Sequence, residues 1–540
     1  MTAATTSKTA ATKTLVVLVA DKMDPDGVEI LEQAGLEARV QTGLSPEELV
    51  QAAQDVDGIL VRSASKVTQE VIEAAPKLKA VGRAGIGVDN IDIPAASRHG
   101  VLVMNTPLAN ATTTAELAVA HMFGLARHLP AADASMKAGR WDKSALVGRE
   151  ITGKTLVVVG LGKIGRIVAE RGLGLKMNVL AYDPFLTGES PMRGVDLVDM
   201  GTALAAADFL SIHVPKSPET LGMIDGAAMG QMKDSACIIN CARGGIVVEA
   251  DLQAALEGGT LGGAALDVFE AEPLAEDSPL RSVPNLQLTP HLGASSSEAQ
   301  KRVSTEIAKQ MADYLLHGEA RCGINAPSVS AEDLATLRPY ITLARRCGLM
   351  LTQVAADPIV RVEVIYGGDL ADWDTNPVKL AVLEGVLSPA LEVPVNAVNA
   401  EMVATERGLK LLEEKSRAAS DFTSVLKLRA VTKEGAEHTI SGTVYRGRPR
   451  LVHFEGFGVD FVPEGHLLLT RHHDSPGVLG TVATWLGTNG VNIEGLQMAS
   501  TPTGEQGAMA LYSINRPLSL QELAELAQQP PILVARTITL

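Results

Sequence analysis

Apolar residues recur with two different periods along the first part of the chain, and their alternation predicts strands separated by helices. Short apolar runs bounded by turn residues are typical of parallel strands that are buried on both faces. Such runs lie at residues 15–20, 58–61, 78–81 and 101–103. In segments 46–53 and 67–75 apolar residues recur every three or four positions, which predicts helices between the strands.

A second series of strands follows. Six apolar runs predict a doubly wound parallel sheet, at residues 155–159, 179–182, 209–214, 237–241, 263–267 and 286–289. Between the two series, Thr113 and Glu116 have the spacing of a capping box, which predicts an apolar helix from there to about residue 125. We expect this helix to connect two domains and to serve as a hinge. A long helix at 297–316 should carry the chain away from the second sheet.

The pattern changes beyond Asn325, where prolines and alternating charges predict a separate α+β domain. The last segment is clearer, with the order strand, helix, strand, strand, helix, strand. Its predicted strands and helices lie at residues 467–470, 477–486, 491–498, 508–514, 519–527 and 532–538. This order predicts a ferredoxin-like unit with one helical face and an open sheet edge.

Composition limits the class of protein. At 540 residues the chain is too long for a single core, and a net charge of −16 disfavours nucleic acid or an anionic membrane as partner. An anionic substrate must therefore be bound by local arginines. The four cysteines form no C-x-x-C pair, which predicts reduced thiols and no metal site. Residues 1–13 lack an apolar leader segment, and no apolar run reaches membrane-spanning length, so we expect a soluble, cytoplasmic protein with a frayed N-terminus.

A glycine motif directly follows the first strand of the second series. In Gly-Leu-Gly-Lys-Ile-Gly at 160–165, Gly160 permits a tight turn, Gly162 lets a pyrophosphate approach the backbone, and Gly165 lets a helix lie close to the strand. The helix N-terminus then offers N–H groups to phosphates. Asp183 ends the next strand, where it can accept both ribose hydroxyls and repel a 2′-phosphate. The sequence therefore predicts that NAD rather than NADP binds here.

Three ionisable residues follow predicted strands of this sheet at the edge where open α/β folds bind ligands: Arg243, Glu272 and His291. Together they suggest hydride transfer to or from an alcohol. His291 would take the hydroxyl proton, Glu272 would orient the ring and favour its protonated form, and Arg243 would bind carboxylate and carbonyl oxygens. Each residue alone has an ordinary alternative as a surface, turn or loop residue. Cys241 can be a small apolar neighbour of the cofactor or, less simply, a nucleophile.

Residues 14–320 resemble the D-isomer-specific 2-hydroxy acid dehydrogenases, through the motifs at 160–165, 240–245, 265–273 and 290–294. Arg243, Glu272 and His291 match the catalytic residues of that family. The resemblance also implies contacts with NAD at Lys163, Ile164, Asp183, Val214, Cys241, Ala242, Asp267, Gly293 and Ala294. It implies a flavodoxin-like substrate-binding domain at 14–104 and 297–326 and a Rossmann NAD-binding domain at 105–296.

Further loops resemble the branch of this family that oxidises 3-phospho-D-glycerate at the start of serine biosynthesis. The candidate substrate residues are Arg62, Arg83, Gly85 and, with a weaker case, Arg140. Arg62 and Arg83 each end a predicted strand, where their side chains can bind a phosphate. The alternative for all three arginines is a solvated surface position. The chain length also matches the long form of that branch, with an intervening regulatory domain at 327–462.

Residues 465–540 are similar to ACT domains, which are regulatory modules that bind amino acids. An open sheet edge pairs readily with a second copy, so we expect a homo-oligomer, and a tetramer in particular. We expect His472, Asp474 and Asn492 to converge at that seam and to bind a small amino acid, with L-serine favoured and glycine as an alternative. The ordinary alternative is that these residues are helix-cap and turn residues.

Other functions remain open at this point. A hydroxypyruvate or glyoxylate reductase of the same fold would share the Arg, Glu and His but would need neither the phosphate arginines nor an ACT domain. A formate dehydrogenase is disfavoured because Glu272 stands where that branch carries glutamine. An NAD-sensing scaffold without turnover is the alternative from another class. Arg446, Arg448 and Arg450 can form a second anion site or a solvated basic turn.

Overall fold

Four β-sheets follow one another along the chain in the structure, a computed structural model. It describes residues 14–318, 320–327, 331–391, 394–417, 421–500, 507–530 and 532–540. The segment 1–13, for which the sequence predicts a frayed N-terminus, lies outside the described residues.

The first sheet has five parallel strands in the order β2-β1-β3-β4-β5. The strands are β1 (Val16–Val19), β2 (Glu37–Val40), β3 (Gly58–Val61), β4 (Ala80–Arg83) and β5 (Leu102–Asn105). The helices of this region are α1 (Pro25–Gln33), α2 (Pro46–Ala53), α3 (Gln69–Glu73) and α4 (Ile93–Arg98). Strands β3 and β5 are buried along their whole length, as their apolar sequences predict. The edge strand β2 is missing from the sequence prediction because it has no continuous apolar run: charged and apolar residues alternate in it, and all of them are at least partly exposed.

Two helices follow, α5 (Ala111–Arg127) and α6 (Leu129–Lys137). The predicted capping box at Thr113 is wrong, because α5 begins at Ala111 and its N-cap, Asn110, makes no side-chain cap bond. Ala111 is buried, so packing extends the helix beyond the polar sequence signal. The Thr113 hydroxyl instead lies 3.1 Å from Ser296 Oγ.

The second sheet has seven parallel strands, in the order β12-β11-β10-β9-β6-β7-β8. The strands are β6 (Thr155–Val159), β7 (Asn178–Tyr182), β8 (Val195–Leu197), β9 (Phe209–Ile212), β10 (Cys237–Asn240), β11 (Gly263–Leu266) and β12 (Leu286–Leu288). The helices are α7 (Lys163–Gly174), α8 (Met200–Ala206), α9 (Gly226–Met229) and α10 (Glu249–Glu257). The predicted count of six is one too few, because the outer strand β8, Val-Asp-Leu, is short and has an exposed aspartate at its centre in place of an apolar run.

Helix α11 (Ser297–His317) returns the chain to the first sheet. Its residues Val303, Ile307 and Met311 are buried in one cluster with Leu60 and Leu102 of that sheet. The chain therefore crosses between the first two sheets twice, which leaves a cleft flanked by the carboxyl ends of both sets of strands.

The third sheet is mixed, in the order β14-β13-β15-β16-β17-β18, with β13 and β14 parallel and the other pairs antiparallel. Its helices are α12 (Ala331–Val354), α13 (Asn376–Leu387) and α14 (Ala400–Glu406). Its strands are β13 (Ile359–Gly368), β14 (Lys410–Ser416), β15 (Ser424–Thr432), β16 (Glu437–Tyr445), β17 (Arg448–Phe454) and β18 (Phe457–Phe461).

The fourth sheet has four antiparallel strands in the order β20-β21-β19-β22. Its elements are β19 (His466–His472), α15 (Val478–Thr488), β20 (Ile493–Ser500), β21 (Ala508–Ile514), α16 (Leu520–Ala527) and β22 (Ile532–Thr539). One face, with Leu468 and Tyr512, packs under α15 and α16. The opposite face, with Leu467 and Leu511, is buried in one hydrophobic core with the third sheet and its helices, so both faces of this sheet are covered.

Candidate active site and effector site

A histidine and a glutamate are hydrogen-bonded to each other on two loops of the second sheet. His291 Nδ1 lies 2.7 Å from Glu272 Oε2, and Glu272 Oε1 accepts a 3.0 Å bond from the Phe269 N–H. Burial would raise the pKa of Glu272, but the bonds from His291 and the Phe269 amide outweigh it and hold that pKa below its usual value. The carboxylate is therefore ionised at neutral pH, and the other ring nitrogen of His291, Nε2, remains to exchange a proton with a substrate.

The loop that carries His291 is fixed by Asp267, which follows β11 and is fully buried. Asp267 Oδ1 accepts bonds from the Thr289 hydroxyl (2.6 Å) and the Leu292 amide (2.7 Å), and Oδ2 accepts one from the Gly293 amide (2.8 Å). These bonds hold the backbone on both sides of His291, whose φ of 54° is in the left-handed region that non-glycine residues rarely adopt. The buried carboxylate is what keeps the histidine in this conformation.

Arg243 follows β10 and reaches across to the loop after β4 of the first sheet. Asn240 fixes its backbone, since Asn240 Oδ1 accepts from the Ala242 amide (3.0 Å) and Nδ2 donates to the Arg243 carbonyl (2.9 Å). The guanidinium donates from Nε to Asp89 Oδ2 (2.9 Å) and from Nη1 to the Ala242 carbonyl (2.7 Å). Neither Asn240 nor Asp89 was among the predicted site residues. Asn240 lies inside a motif that the sequence had already marked. Asp89 also lies in a loop that resembles the family, at 82–90, but its pairing with Arg243 carries no sequence signal because the two residues are far apart in the chain.

Of the predicted substrate arginines, Arg83 lies near Arg243, and Arg62 lies near Arg83. Burial, then the positive charges of Arg243 and Arg62, lower the pKa of Arg83 to about 10, so Arg83 remains cationic at neutral pH. Its Nε is buried without a hydrogen-bond partner. Gly85 has φ 151°, which side chains rarely adopt, and a Cβ there would lie 1.5 Å from Arg83 Nη1, so this position favours glycine. Three cations near one another form a site for an anion with more than one negative charge.

The loop after β3 is held by two side chains that the sequence analysis did not single out. Asp21 Oδ2 accepts a 2.6 Å bond from the Arg62 amide, and its Oδ1 accepts a 2.7 Å bond from the Ser65 hydroxyl. Asn90 Nδ2 donates to the carbonyl of Arg62 (2.8 Å). Arg140 does not join the cluster, because its guanidinium pairs with Asp142 two residues further along the chain. The prediction of Arg140 as a cleft residue therefore finds no support within one chain.

The glycine loop has the shape that a dinucleotide requires. Gly160 has φ 92°, and a Cβ there would lie 2.8 Å from the His213 carbonyl. A Cβ on Gly165 would lie 2.0 Å from the Gly160 carbonyl, so only glycine lets α7 pack this closely. A Cβ on Gly162 would meet nothing within 4 Å, so the space above the helix N-terminus, where Lys163 and Ile164 begin α7, is open. The loop therefore fits a pyrophosphate.

The remaining predicted cofactor residues surround this loop. Asp183 follows β7, and its two carboxylate oxygens accept the Leu161 amide (2.9 Å) and the Phe185 amide (3.1 Å), which leaves other lone pairs for ribose hydroxyls. Burial, and then the charge of Asp267, raise the pKa of the Cys241 thiol well above its usual range, so Cys241 is a neutral lining residue rather than a nucleophile. The other predicted positions lie at the same ends of the strands: Val214, Ala242, Gly293 and Ala294.

The three predicted effector residues do not converge within one chain. His472 ends β19 and pairs through Ala508 with Ser500 at the end of β20, whereas Asn492 precedes the opposite end of β20. Eight residues of β20 separate Asn492 from Ser500, so at about 3.4 Å per residue the two positions lie roughly 25 Å apart along the strand. His472 is buried, and Asp474 and Asn492 are exposed. Asp474 is not the helix cap either, because Gly477 is the N-cap of α15 and makes no side-chain cap bond.

Comparison with known proteins extends over almost the whole chain. Residues 119–293 match the family described as "D-isomer specific 2-hydroxyacid dehydrogenase, NAD binding domain", and residues 336–455 match the "D-3-phosphoglycerate dehydrogenase intervening domain". A D-3-phosphoglycerate dehydrogenase of Synechocystis is 42% identical over 97% of this chain and 94% of its own. One from Archaeoglobus fulgidus is 39% identical over 97% of this chain and 100% of its own.

Solved structures match the catalytic part of the chain. A protein from Thermus thermophilus has a TM-score of 0.54 at 30% identity and covers 57% of this chain and 100% of its own. An NAD-dependent formate dehydrogenase from Staphylococcus aureus, solved with NAD, has a TM-score of 0.53 at 28% identity over 58% of this chain and 99% of its own. The predicted Rossmann fold and the predicted cofactor, NAD, are confirmed. Within the described ranges, no helix is both long and apolar enough to cross a membrane.

Proposed function

Because the chain belongs to the D-3-phosphoglycerate dehydrogenases, we propose that it oxidises 3-phospho-D-glycerate to 3-phosphooxypyruvate with NAD, at the first step of L-serine biosynthesis. The observation that carries the choice of substrate is the position of Arg243. Its charge acts on Glu272 of the histidine pair and on Arg83 of the arginine cluster. A substrate with a carboxylate at one end and a phosphate at the other suits a site that joins these two clusters.

In this proposal His291, Glu272 and Arg243 act on the substrate. His291 accepts the proton of the C2 hydroxyl at Nε2, and the ionised Glu272 stabilises the imidazolium that forms. Arg243 binds the substrate carboxylate through the guanidinium hydrogens that Asp89 and Ala242 leave available. When bound, NAD would supply the acceptor for the hydride that leaves C2. The C2–H and O–H bonds break, a C=O bond forms, and the proton remains on His291.

The cofactor would be held by residues that the glycine loop brings together. The amides at the start of α7 would bind the pyrophosphate, with Gly162 leaving the necessary space, and Asp183 would accept the ribose hydroxyls. Cys241 and Ala242, both buried at the end of β10, would line the nicotinamide side. A carboxylate at position 183 supports NAD over NADP because it repels a 2′-phosphate.

Arg62 and Arg83 would bind the phosphate. Arg83 is the stronger candidate because its Nε is buried and unpartnered and because neighbouring positive charge destabilises the guanidinium until an anion enters. A hydroxypyruvate or glyoxylate reductase would gain nothing from that arrangement, and a scaffold without turnover would not need the His291–Glu272 pair. NADH formation with 3-phospho-D-glycerate, compared with D-glycerate, tests the proposal. A preference for the unphosphorylated acid would favour the reductase alternative, and no turnover of any 2-hydroxy acid would favour the scaffold.

We also propose that the chain forms homo-oligomers, including a tetramer, through two surfaces. The first is the stretch around α6, which exposes Leu129, Met136, Trp141 and Val147 by 54%, 55%, 76% and 77% of their surfaces. Such an apolar surface is typical of a protein contact. The second is the outer strand β20 of the fourth sheet.

A pairing of β20 with its copy would restore the predicted effector site. Gln353 of α12 exchanges two 3.0 Å hydrogen bonds with Thr539 on the outer edge of β22, which favours β20 as the pairing strand. Twofold symmetry would make the two paired β20 strands antiparallel. The start of one strand, which follows Asn492, would then lie beside the end of the copy's strand, and that end is in register with the copy's His472. We propose that His472 and Asp474 from one chain and Asn492 from the other bind a small amino acid, with L-serine favoured.

The free thiols at all four cysteines support a cytoplasmic location.

A further inference from the structure

We propose that Asp89 is a positioning residue that fixes the guanidinium of Arg243 when the cleft is closed, an inference that rests on the proposed dehydrogenase function. Asp89 lies in the loop between β4 and α4 of the first sheet, and Arg243 follows β10 of the second. Their 2.9 Å ion pair therefore crosses the cleft between the regions of the first and second sheets.

The geometry of the pair lets Asp89 orient the guanidinium of Arg243 without blocking its binding of substrate. Asp89 Oδ2 takes only the Nε hydrogen, and Ala242 takes one hydrogen of Nη1. An arginine has five N–H donors, so hydrogens on Nη1 and Nη2 remain for a substrate carboxylate while both restraints stay in place. With one bond on each side of Cζ, the plane of the guanidinium is defined before substrate binds.

Gly87 provides the space in which this arrangement forms. A Cβ at Gly87 would lie 1.7 Å from Arg243 Nη2 and 3.0 Å from Asp89 Oδ2. The guanidinium thus rests against the bare backbone of the loop that carries its acceptor. Asp89 and Gly87 belong to the region of the first sheet, and Arg243 belongs to the region of the second. Arg243 is therefore aligned only when the two regions are close together. Cleft closure and alignment of the arginine are therefore one event.

Asp89 also moderates the charge of the cluster. Its carboxylate raises the pKa of Arg83, against the lowering by Arg243 and Arg62. The side chain of Asp89 is 65% exposed, whereas that of Arg243 is 27% exposed, so removal of Asp89 leaves no cavity. The expected consequence of its loss is an incorrectly placed Arg243 in a correctly folded protein.

The test is steady-state kinetics of Asp89→Ala and Asp89→Asn. It uses whichever of 3-phospho-D-glycerate and D-glycerate the wild type oxidises faster, since Arg243 binds the carboxylate that both share. Inactivity on the phosphorylated acid alone would count against the proposed substrate, not against the role of Asp89. Asp89→Ala should lower kcat by about 10- to 100-fold with KM changed less than about threefold, because misplacement of a catalytic group acts on the transition state. Asp89→Asn keeps an acceptor and should recover part of kcat.

The matched control is Asp55→Ala, which removes the 2.7 Å partner of Arg39 on the same domain and should leave kcat unchanged. A double-mutant cycle with Arg243→Lys, which lacks the Nε donor, isolates the pairwise effect. If Asp89 acts through Arg243, adding Asp89→Ala to the Arg243→Lys variant should lower kcat by less than about twofold. The proposal is overturned by a full loss in the Arg243→Lys background, by wild-type kcat in Asp89→Ala, or by a fall in KM at unchanged kcat, which would make Asp89 a competitor of substrate.

Discussion

Glu272 Oε2 and His291 Nδ1 lie 2.7 Å apart, and the pair joins the loops that follow β11 and β12. This one bond settles which ring nitrogen of His291 is available for chemistry. It also couples the charge of the imidazole to a carboxylate whose pKa is lowered despite its partial desolvation. The consequences for catalysis and for pH dependence can be tested separately.

Replacement of the histidine removes the proton acceptor. His291→Ala should lower kcat by on the order of 10²- to 10⁴-fold, the usual contribution of a general base. NAD binding should persist because the glycine loop is untouched, and a fluorescence titration can measure it. The exposed His317 on α11 gives a control, and His317→Ala should retain wild-type turnover. Near-normal kcat in His291→Ala would remove histidine from the mechanism.

Replacement of the glutamate should change the pH profile. In Glu272→Gln the amide no longer stabilises the imidazolium electrostatically, so the neutral ring persists to lower pH. The acidic limb of kcat/KM for alcohol oxidation should therefore move to lower pH, with a smaller loss of kcat than in His291→Ala. The lowered pKa of Glu272 also determines how its contribution to the free energy of unfolding depends on pH. The carboxylate stabilises the fold above its unfolded-state pKa, and this contribution is lost as the pH falls through the folded-state pKa. An unmoved acidic limb would contradict the assignment.

The sequence predicted the parts of the fold that depend on local pattern. Buried parallel strands are continuous apolar runs, so β3 and β6 were located to the residue. The partly exposed edge strand β2 was missed, since pairing with β1 rather than a continuous apolar run makes it a strand. Asp89 and Arg243 lie in loops that the sequence had marked, at 82–90 and 240–245, but their contact spans 154 residues and no local pattern predicts it.

The glycine loop provides a pair of matched variants. Gly165→Ala should destabilise the protein without ligand by about 1–3 kcal/mol, because the new Cβ would lie 2.0 Å from the Gly160 carbonyl. Gly162→Ala should leave the melting temperature unchanged, since its φ of −73° suits alanine and nothing lies within 4 Å. It should nevertheless weaken NAD binding by about tenfold or more, because the methyl group occupies the space proposed for the pyrophosphate. Thermal unfolding and NAD titration of both variants test this, and wild-type NAD affinity in Gly162→Ala would contradict it.

The arginine cluster should determine selectivity for the phosphate. Arg83→Ala removes charge-assisted bonds worth about 1.5–3 kcal/mol, so KM for 3-phospho-D-glycerate should rise by roughly 10- to 100-fold. KM for D-glycerate should change much less. Arg62→Ala should act in the same direction, and it avoids the risk of replacing the partly buried Arg83. Arg39→Ala, a partly buried arginine on β2 of the same domain, serves as control. Equal losses on both substrates would place the arginines outside the phosphate site.

The last prediction concerns regulation through the fourth sheet. The backbone of Asn492 is held by Asn515, since Asn515 Oδ1 accepts from the Asn492 amide (2.9 Å) and the Asn515 amide donates to the Asn492 carbonyl (3.2 Å). The exposed side chain of Asn492 takes no part in these bonds, so Asn492→Ala should fold normally and keep its uninhibited kcat. Saturating L-serine should inhibit the wild type with a coupling of about 1–3 kcal/mol, and Asn492→Ala should abolish that inhibition. Because Asn492 and Asp474 can meet only across two chains, mixed oligomers of Asn492→Ala and Asp474→Ala subunits should recover inhibition that neither variant shows alone. Where one subunit of each variant pairs through β20, one of the two sites between them has native Asp474 and native Asn492, and the other site has both substitutions. Full activity of the wild type in saturating serine would remove serine as the effector, and failure of the mixed oligomers to recover inhibition would place the site within a single chain.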